Sequence, residues 1–282
     1  GTVQTDQIDK KQLANMLVGH DVVLPVARQQ AVRETVVASL RGVQVQGDYG
    51  KPAVSGFDLD IHAGEIVGIA GVDGNGQSEL VEAIVGLRKI SSGTLTIGGQ
   101  DLTSSPAWKR IDAGLRYVPA DRKRRGVVPD LSIADNSAIK NYRMAPYSKR
   151  GVLQPEAIRQ FAARLVEEYD IRCESINTQV GTLSGGNMQK LLLAREASEN
   201  SALLVVEHPT QGLDIGAIEF VRKALLDKRD EGTAILLVSA DLDEVLELSD
   251  RVVVMYEGAA VQERRHDEID REEIGLAMAG LS

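Results

Sequence analysis

Apolar and polar residues alternate in two segments of the first part of the chain. Val43–Val45 and Phe57–Ile61 repeat with a period of two, which predicts half-buried antiparallel strands. Glu65–Ala70 is almost continuously apolar and predicts a buried strand, and Ser78–Val85 has helical spacing. The early part of the chain therefore combines half-buried strands with one buried strand that leads into a helix.

Three later segments are short and rich in Val, Leu and Ile, and helical patterns separate them. The apolar runs are Ala202–Val206, Ala234–Val238 and Arg251–Met255, and the helical patterns cover residues 187–199, 217–230 and 241–248. This order of strand, helix and strand predicts a mainly parallel sheet with helices on its faces.

Residues 123–170 contain no comparable buried run. The pattern predicts a loop over Lys123–Asp130, then helices from about residue 132 and over Pro155–Tyr169, the latter with proline in its first turn. This stretch is typical of a helical insertion between two halves of an α/β core.

The two ends of the chain resemble each other. Asp6–Leu13 aligns with Asp267–Ile274, and each run enters a short helical stretch that ends at Gly19 or Gly280. Any amphipathic helix capped by aspartate has this pattern, so two interpretations stay open: a coincidence of capping, or a repeat. The second, which we carry forward, makes residues 1–19 the tail of a preceding homologous copy.

Composition narrows the class of protein. The chain is 43% hydrophobic and 26% charged, as in folded globular proteins. Its net charge of −9, from 32 basic and 41 acidic residues, disfavours nucleic acid as the main partner. A lone cysteine, Cys173, forms no internal disulfide, and no apolar run is long enough to span a membrane. We therefore expect a reducing, cytoplasmic environment.

A glycine-rich segment, Gly71–Ser78, lies between the buried strand and the helix that follows it. It matches the phosphate-loop pattern G-x-x-x-x-G-K-[ST] except that Gln77 replaces the lysine. Backbone N–H groups in such a loop, with the helix N-terminus, bind phosphate, and Ser78 is placed to ligate Mg²⁺. By itself the segment also fits a βα turn without a ligand, because lysine supplies the diagnostic charge.

Further segments of the chain carry chemistry in a fixed order. Thr182–Lys190 places a serine and two glycines before a predicted helix, and Leu203–Asp214 and Leu237–Glu244 follow it. With the Gly71–Ser78 loop, they resemble the phosphate loop, signature, Walker B strand with D-loop, and switch region of the ATP-binding cassette (ABC) family. The resemblance covers about residues 40–265.

The resemblance implies a fold and a ligand. The fold is an α/β ABC-type nucleotide-binding domain, with a P-loop NTPase core, an antiparallel β subdomain and a helical subdomain. The implied ligands are ATP and Mg²⁺. Tyr49 occupies the position of the adenine-stacking aromatic, and Ser78 and Glu207 would support the metal. The implied nucleotide contacts are Tyr49, Gly71, Gly74, Asn75, Gly76, Gln77, Ser78 and Glu79.

Measured against the family's motifs, this site has lost its charged and proton-handling groups. Gln77 replaces lysine, Glu207 the Mg²⁺-supporting Asp, and His208 the catalytic Glu. Ala240 stands at the switch His, and Ala120 at the lid Gln. Loss of a general base costs about 10²–10⁴ in rate, so we expect slow hydrolysis at this loop.

The signature itself is intact. Family members dimerise head to tail, so the signature faces ATP held by the partner's phosphate loop. The residues implied to face the partner's ATP are Leu183, Ser184, Gly185, Gly186 and Asn187, and those of the D-loop are Gly212, Leu213 and Asp214. A cassette of this kind can lose its own site and still complete that of its partner.

Within the family, the chain is most similar to the second cassette of tandem ATP-binding subunits that energise simple-sugar and nucleoside importers. The implied partners are an N-terminal cassette of the same polypeptide, membrane permease subunits and, indirectly, a substrate-binding protein, at the cytoplasmic face of the membrane. A non-catalytic nucleotide sensor or structural brace is the alternative. The predicted divisions are 1–19, a linker over 20–39, the cassette over 40–265 with its insertion at about 123–185, and a helical tail over 266–282.

The remaining features have less specific interpretations. The basic run Arg122–Arg125 fits a solvated loop or a contact with a permease. His20, His62 and His266 lack metal-ligand spacing and are expected to be structural or at the surface, and Cys173 is expected to be unreactive.

Overall fold

A computed structural model describes residues 35–48, 50–198 and 201–281. The strands are β1 Val36–Gln46, β2 Pro52–His62, β3 Ile66–Ala70, β4 Ile90–Ile97, β5 Gln100–Asp101, β6 Leu115–Val118, β7 Ser148–Lys149, β8 Val152–Leu153, β9 Leu203–Glu207, β10 Ala234–Val238, β11 Arg251–Tyr256 and β12 Ala259–Arg265. The α-helices are α1 Gln77–Val85, α2 Ala107–Asp112, α3 Ile133–Ala138, α4 Pro155–Glu168, α5 Gly185–Ala197, α6 Ile215–Asp230, α7 Leu242–Leu248 and α8 Arg271–Met278.

A six-stranded sheet in the order β12-β11-β3-β10-β9-β6 forms the centre of the molecule. All neighbouring pairs are parallel except β11 and β12. Successive residues of β9 and β10 belong to different apolar clusters, because both faces of these strands are covered. The mainly parallel sheet predicted from the Val, Leu and Ile runs is confirmed.

A second, antiparallel sheet of four strands has the order β2-β1-β4-β5. Its inner side chains, among them Leu40, Phe57 and Leu95, share one apolar cluster with α1 and one face of the large sheet. The two alternating segments of the sequence thus belong to longer, half-buried strands, as predicted.

The insertion between β6 and α5 is mainly helical. Helices α3 and α4 pack against each other and against α5, and a short β7–β8 hairpin lies between them. The stretch expected as a loop from Lys123 begins instead with one turn of π-helix, Arg122–Gly126, which the Asp121 side chain caps.

A buried ionic cluster fastens this insertion to α5. Glu196 is fully buried and lies 2.8 Å from Lys140 Nζ and 2.7 Å from Arg195 Nη2. Burial opposes its charge, but the two cations hold the pKa of Glu196 below its usual value. Arg195 Nη2 also donates to the Gly126 carbonyl at 2.9 Å, so the π-helical turn is anchored to α5.

Glu65, just before β3, joins the two sheets. Its buried carboxylate accepts hydrogen bonds from Arg251 Nε at 3.0 Å and Nη2 at 3.1 Å. Arg251 also donates to the carbonyl of Asp60 in β2. Burial opposes ionisation of Glu65, yet the bonds and charge of Arg251, with His62, hold its pKa below the usual value.

Several predictions concern residues outside the described part of the chain. They are the preceding-copy tail over residues 1–19, the linker up to residue 34, His20, and Tyr49 as the adenine-stacking aromatic.

Candidate functional site

The glycine-rich loop leaves β3 at Ala70 and enters α1 at Gln77. Gly76, the residue before the helix, has φ of +100°, and a Cβ there would stand 2.1 Å from the Ala53 carbonyl oxygen. Only glycine fits this turn, which aims the first N–H groups of α1 outward. Ser78 is exposed and Glu79 half-buried on that first turn, so the predicted loop-to-helix geometry is present.

Gln77, at the position of the expected lysine, is turned back into the loop. Its side chain is buried, and Nε2 donates to the Val72 carbonyl at 3.1 Å. The same nitrogen is 2.1 Å from the point where a Cβ on Gly71 would stand. The amide therefore closes the loop on itself and brings no charge to it.

Asn75 fastens the loop to the turn between β11 and β12. Its Oδ1 accepts from Glu257 N at 2.9 Å, its backbone carbonyl accepts from Gly258 N at 2.9 Å, and its Nδ2 donates to the Val72 carbonyl at 3.0 Å. Gly74 faces open space with φ of +94°. No local sequence pattern predicts these bonds, because Glu257 and Gly258 are far from Asn75 along the chain.

Glu207 ends β9, as its alignment with the Mg²⁺-supporting position required. The hydroxyl of Tyr117, on neighbouring β6, donates a hydrogen bond to its Oε2. Burial raises the pKa of Glu207, partly offset by this bond and by the charges of His208 and Arg125. Tyr117 is a residue of this site to which the sequence patterns assigned no role.

His208 stands directly after β9 with a left-handed backbone, φ of +43°. Its N–H donates to the Val238 carbonyl at 2.8 Å, and its Nδ1 accepts from Ala240 N at 3.3 Å. This bond orients the ring and leaves Nε2 as the protonated nitrogen of the neutral form. The structure thus brings His208 and Ala240 together.

Arg125, in the basic run, reaches this same group of residues. Its Nη1 lies 2.8 Å from Glu82 Oε1 on α1, and its charge also acts on Tyr117 and Glu207. Ala120, at the lid position, contributes no polar side-chain atom. The run is therefore not wholly solvated, because Arg122 and Arg125 are engaged within the fold, while Arg124 stays 88% exposed.

The signature turn opens α5. Ser184 caps the helix, its Oγ accepting from Asn187 N at 3.3 Å and from Asn187 Nδ2 at 3.0 Å. Asn187 Oδ1 in turn accepts from Arg172 N at 2.9 Å. Leu183 packs on the apolar core, and Ser184 is exposed. The turn is fully formed and its serine faces outward.

The D-loop lies against this turn. Asp214 caps α6 by accepting from Ala217 N at 2.9 Å. A Cβ on Gly186 would be 3.0 Å from the Ala217 Cβ and 3.5 Å from Asp214 Oδ2. A cleft of about 910 Å³ runs along both segments, lined by Ser184, Gly186, Asn187 and Asp214 among others.

Arg122 links the signature turn to the D-loop. Its Nη1 donates to the Gln211 carbonyl at 3.0 Å, and its Nη2 is 3.5 Å from the Gly212 carbonyl oxygen. The same Nη2 is 3.3 Å from where a Cβ on Gly185 would stand. Within the D-loop itself, the Leu213 backbone N–H donates to the Thr210 carbonyl at 3.2 Å.

The candidate residues therefore fall into two groups. Gln77, Glu207, His208 and Ala240 belong to the phosphate-loop side, and the signature and D-loop residues form the other. Within the described residues, the hydrogen bonds of the signature turn reach Arg172 and none reaches the phosphate loop. The two groups therefore occupy separate places in the fold.

The donors at the phosphate loop do not fit a divalent cation. Mg²⁺ is held in proteins by one or two carboxylates with phosphate oxygens and water. Ser78 offers a hydroxyl, but the Glu207 carboxyl is buried, is bonded to Tyr117 and has a raised pKa. The described residues also contain no cluster of three or more His, Cys, Asp or Glu that could hold a metal.

The predicted unreactive residues fit their surroundings. His62 Nδ1 lies 3.0 Å from Glu65, and His266 is in a short 3₁₀ turn after β12. Cys173 is free and half-buried, and burial raises the pKa of its thiol.

Comparison with known proteins places this geometry in a family. A family model described as "ABC transporter" matches residues 54–211, more than half of the chain. The chain belongs to the ABC transporter family. Within the part of the cassette that the structure describes, no helix combines the length and apolar composition needed to cross a bilayer.

Two curated relatives match almost the whole chain. A glucose import ATP-binding protein of Haloferax volcanii is 46% identical over 99% of the chain and 51% of its own length. A guanosine import ATP-binding protein of Bacillus subtilis is 41% identical over 99% of the chain and 55% of its own length. The chain thus spans about half the length of the curated relatives it matches.

Solved structures share the fold. A nucleotide-free ATP-binding cassette from an ABC transporter aligns over 87% of this chain and 96% of its own, with a TM-score of 0.71 and 21% identity. A dimeric cassette in a post-hydrolysis state, bound to ADP and phosphate, aligns over 81% and 98%, with a TM-score of 0.70 and 20% identity. The predicted fold class is confirmed.

Proposed function

We propose that this cassette is the second, degenerate nucleotide-binding domain of a tandem import ATPase for a simple sugar or a nucleoside. The observation that carries the proposal is an intact signature turn at Ser184 in the same fold as a phosphate loop that lacks its lysine. The proposed role is to complete the ATP site of a partner cassette.

The relatives support the tandem arrangement and the substrate class. Proteins named for import of glucose and of guanosine match the whole cassette with about half of their own length. The other half is long enough for a further cassette, and residues 1–19 would be its tail. The proposed divisions remain 1–19, 20–39, 40–265 and 266–282.

The side chains support a division of labour between the two sites. The outward Ser184 hydroxyl and the N–H groups of Gly185 and Gly186 are available to a phosphate from a partner. At this cassette's own loop, Gln77 supplies an amide in place of an ammonium, and His208 supplies an imidazole in place of a carboxylate. We infer that turnover takes place at the partner's site.

The assembly follows from this role. The proposed partners are an N-terminal cassette of the same polypeptide and membrane permease subunits, with a substrate-binding protein delivering cargo. The cassette would lie at the cytoplasmic face of the membrane, attached through the permease. ATP favours the closed pair of cassettes, and this population shift would move the permease between its conformations; no role with nucleic acid is proposed.

The test is ATP turnover by the complete tandem protein. Ser184→Arg introduces a bulky cation where the partner's phosphate would lie, and we expect turnover to fall about 100-fold. Ser78→Ala alters only this cassette's own loop, and we expect a loss of less than about threefold. Ser104→Arg, at an exposed serine before α2, is the matched control for added charge. Near-normal turnover with Ser184→Arg would refute the proposal.

The self-closed loop favours a second candidate, a non-catalytic nucleotide sensor or structural brace. In that case Ser184→Arg would leave turnover by the partner intact, while transport or assembly with the permease would change. Measuring turnover and uptake with the same variant separates the two functions.

A further inference from the structure

The Arg125 guanidinium is held beside α1, the helix that carries Ser78. Arg125 Nη1 is 2.8 Å from Glu82 Oε1. Glu82 follows Ser78 by four residues on α1, so the two side chains share one face of the helix, a single turn apart. Arg125 is therefore held one turn below the hydroxyl that was expected to ligate Mg²⁺.

Arg125 is also close to Tyr117 and Glu207. Its positive charge partly offsets the raised pKa of both groups, and the Tyr117 hydroxyl donates to Glu207 Oε2. The cation therefore contacts α1, which carries Ser78, and its charge acts on the end of β9, which carries Glu207.

Glu82 neutralises Arg125 only in part, because it also binds a second arginine. Arg88 also binds Glu82, at 2.9 Å, and pairs with Asp48 at 2.8 Å. The Glu82 carboxylate is therefore shared by two guanidiniums. The Arg125 side chain is 53% exposed, so its remaining N–H groups are open to an anion.

We propose that Arg125 takes the place of the divalent cation at this loop, so that the loop binds the phosphates of a nucleoside di- or triphosphate without Mg²⁺. A guanidinium presents five N–H donors and a permanent charge to phosphate oxygens, and it needs no carboxylate ligand from Glu207. The inference rests on the proposed function only in taking the Gly71–Ser78 loop as a nucleotide site.

The test is calorimetric titration of the 282-residue chain with ADP and with ATP, in Mg²⁺ and in EDTA. We expect dissociation constants that agree within about twofold between the two conditions, because no metal takes part. Arg125→Gln should weaken binding in EDTA by about 10-fold or more, the usual effect of losing a charge-assisted contact. Arg125→Lys, which keeps the charge, should recover part of the loss and guards against a folding defect.

Arg124→Gln is the matched control. Arg124 is the neighbouring arginine, 88% exposed, with a single distant ion pair to Asp121 at 3.9 Å, and we expect unchanged affinity. Binding that requires Mg²⁺, equal losses for Arg124→Gln and Arg125→Gln, or no binding in either condition would each overturn the inference. None of these results alters the expected effect of Ser184→Arg on turnover, so the two proposals fail separately.

Discussion

Gly76 is the residue on which the shape of the phosphate loop depends most directly. Its φ of +100° and the Ala53 carbonyl at 2.1 Å from a notional Cβ both exclude a side chain. We expect Gly76→Ala to lower the free energy of unfolding by about 3 kcal/mol, from backbone strain together with the clash. Urea denaturation checks this value.

A substitution at Gly74 measures the backbone strain without the steric clash. Gly74 has a similar φ, +94°, but no atom lies within 4 Å of a Cβ placed there. Gly74→Ala should therefore cost only the strain, about 1 kcal/mol. Equal losses for the two variants would show that the Ala53 contact contributes nothing.

At the scale of residues, the sequence predicts positions better than contacts. Gln77, Glu207 and His208 stand where the motifs put them. The bonds that define their chemistry, such as Tyr117 to Glu207, join segments far apart in the chain. Those partners depend on which strands become neighbours, and no local pattern specifies that.

At the scale of elements, Arg122 connects the π-helical turn to the D-loop. Its two bonds to the Gln211 and Gly212 carbonyls hold a segment with few other backbone bonds. Arg122→Gln should raise hydrogen exchange across residues 209–214 by about two- to tenfold, the effect of one or two lost hydrogen bonds. Exchange measured by mass spectrometry checks this.

Arg124→Gln is again the control, because Arg124 makes no contact with the D-loop among the described residues. It should leave exchange over residues 209–214 unchanged. If both variants accelerate exchange alike, the effect comes from the charge of the run and not from the bonds of Arg122.

The elements themselves were predicted unevenly. The strands β3, β9, β10 and β11 were found because burial on both faces gives continuous apolar runs. Strand β4 was missed because Ser and Thr fill its exposed positions, and β6 because it is short and includes the buried Arg116. Edge strand β12 carries Gln, Glu and Arg, a pattern typical of protected edges that periodicity does not detect.

At the scale of the whole molecule, Glu65 and Arg251 hold the two sheets together. The Glu65 carboxylate has a lowered pKa in the fold. Its contribution to the free energy of unfolding is therefore present at pH values above the pKa of the unfolded chain. That contribution is lost as the pH falls through the lower pKa of the folded protein. Glu65→Gln should cost about 3 kcal/mol near neutral pH, and the loss should shrink as pH falls below the usual value of 4.5. Urea titrations over that range measure it.

Glu263 offers a matched comparison, since it binds the same guanidinium at 2.7 Å but is 53% exposed on β12. Glu263→Gln should cost less than about 1 kcal/mol because solvent screens the pair. A larger loss for Glu263→Gln than for Glu65→Gln would contradict the conclusion that the buried Glu65 carboxylate holds the two sheets together.

The hydrogen bonds of Asn75 affect how the sequence around this loop can change in evolution. The loop is held by bonds to Glu257 and Gly258 and by its own Val72 carbonyl, so its shape needs no ligand. The fold at this edge of the molecule therefore does not depend on a bound nucleotide. Under the proposed function, the residues of a nucleotide site can change in evolution while the scaffold that presents Ser184 to a partner cassette stays intact.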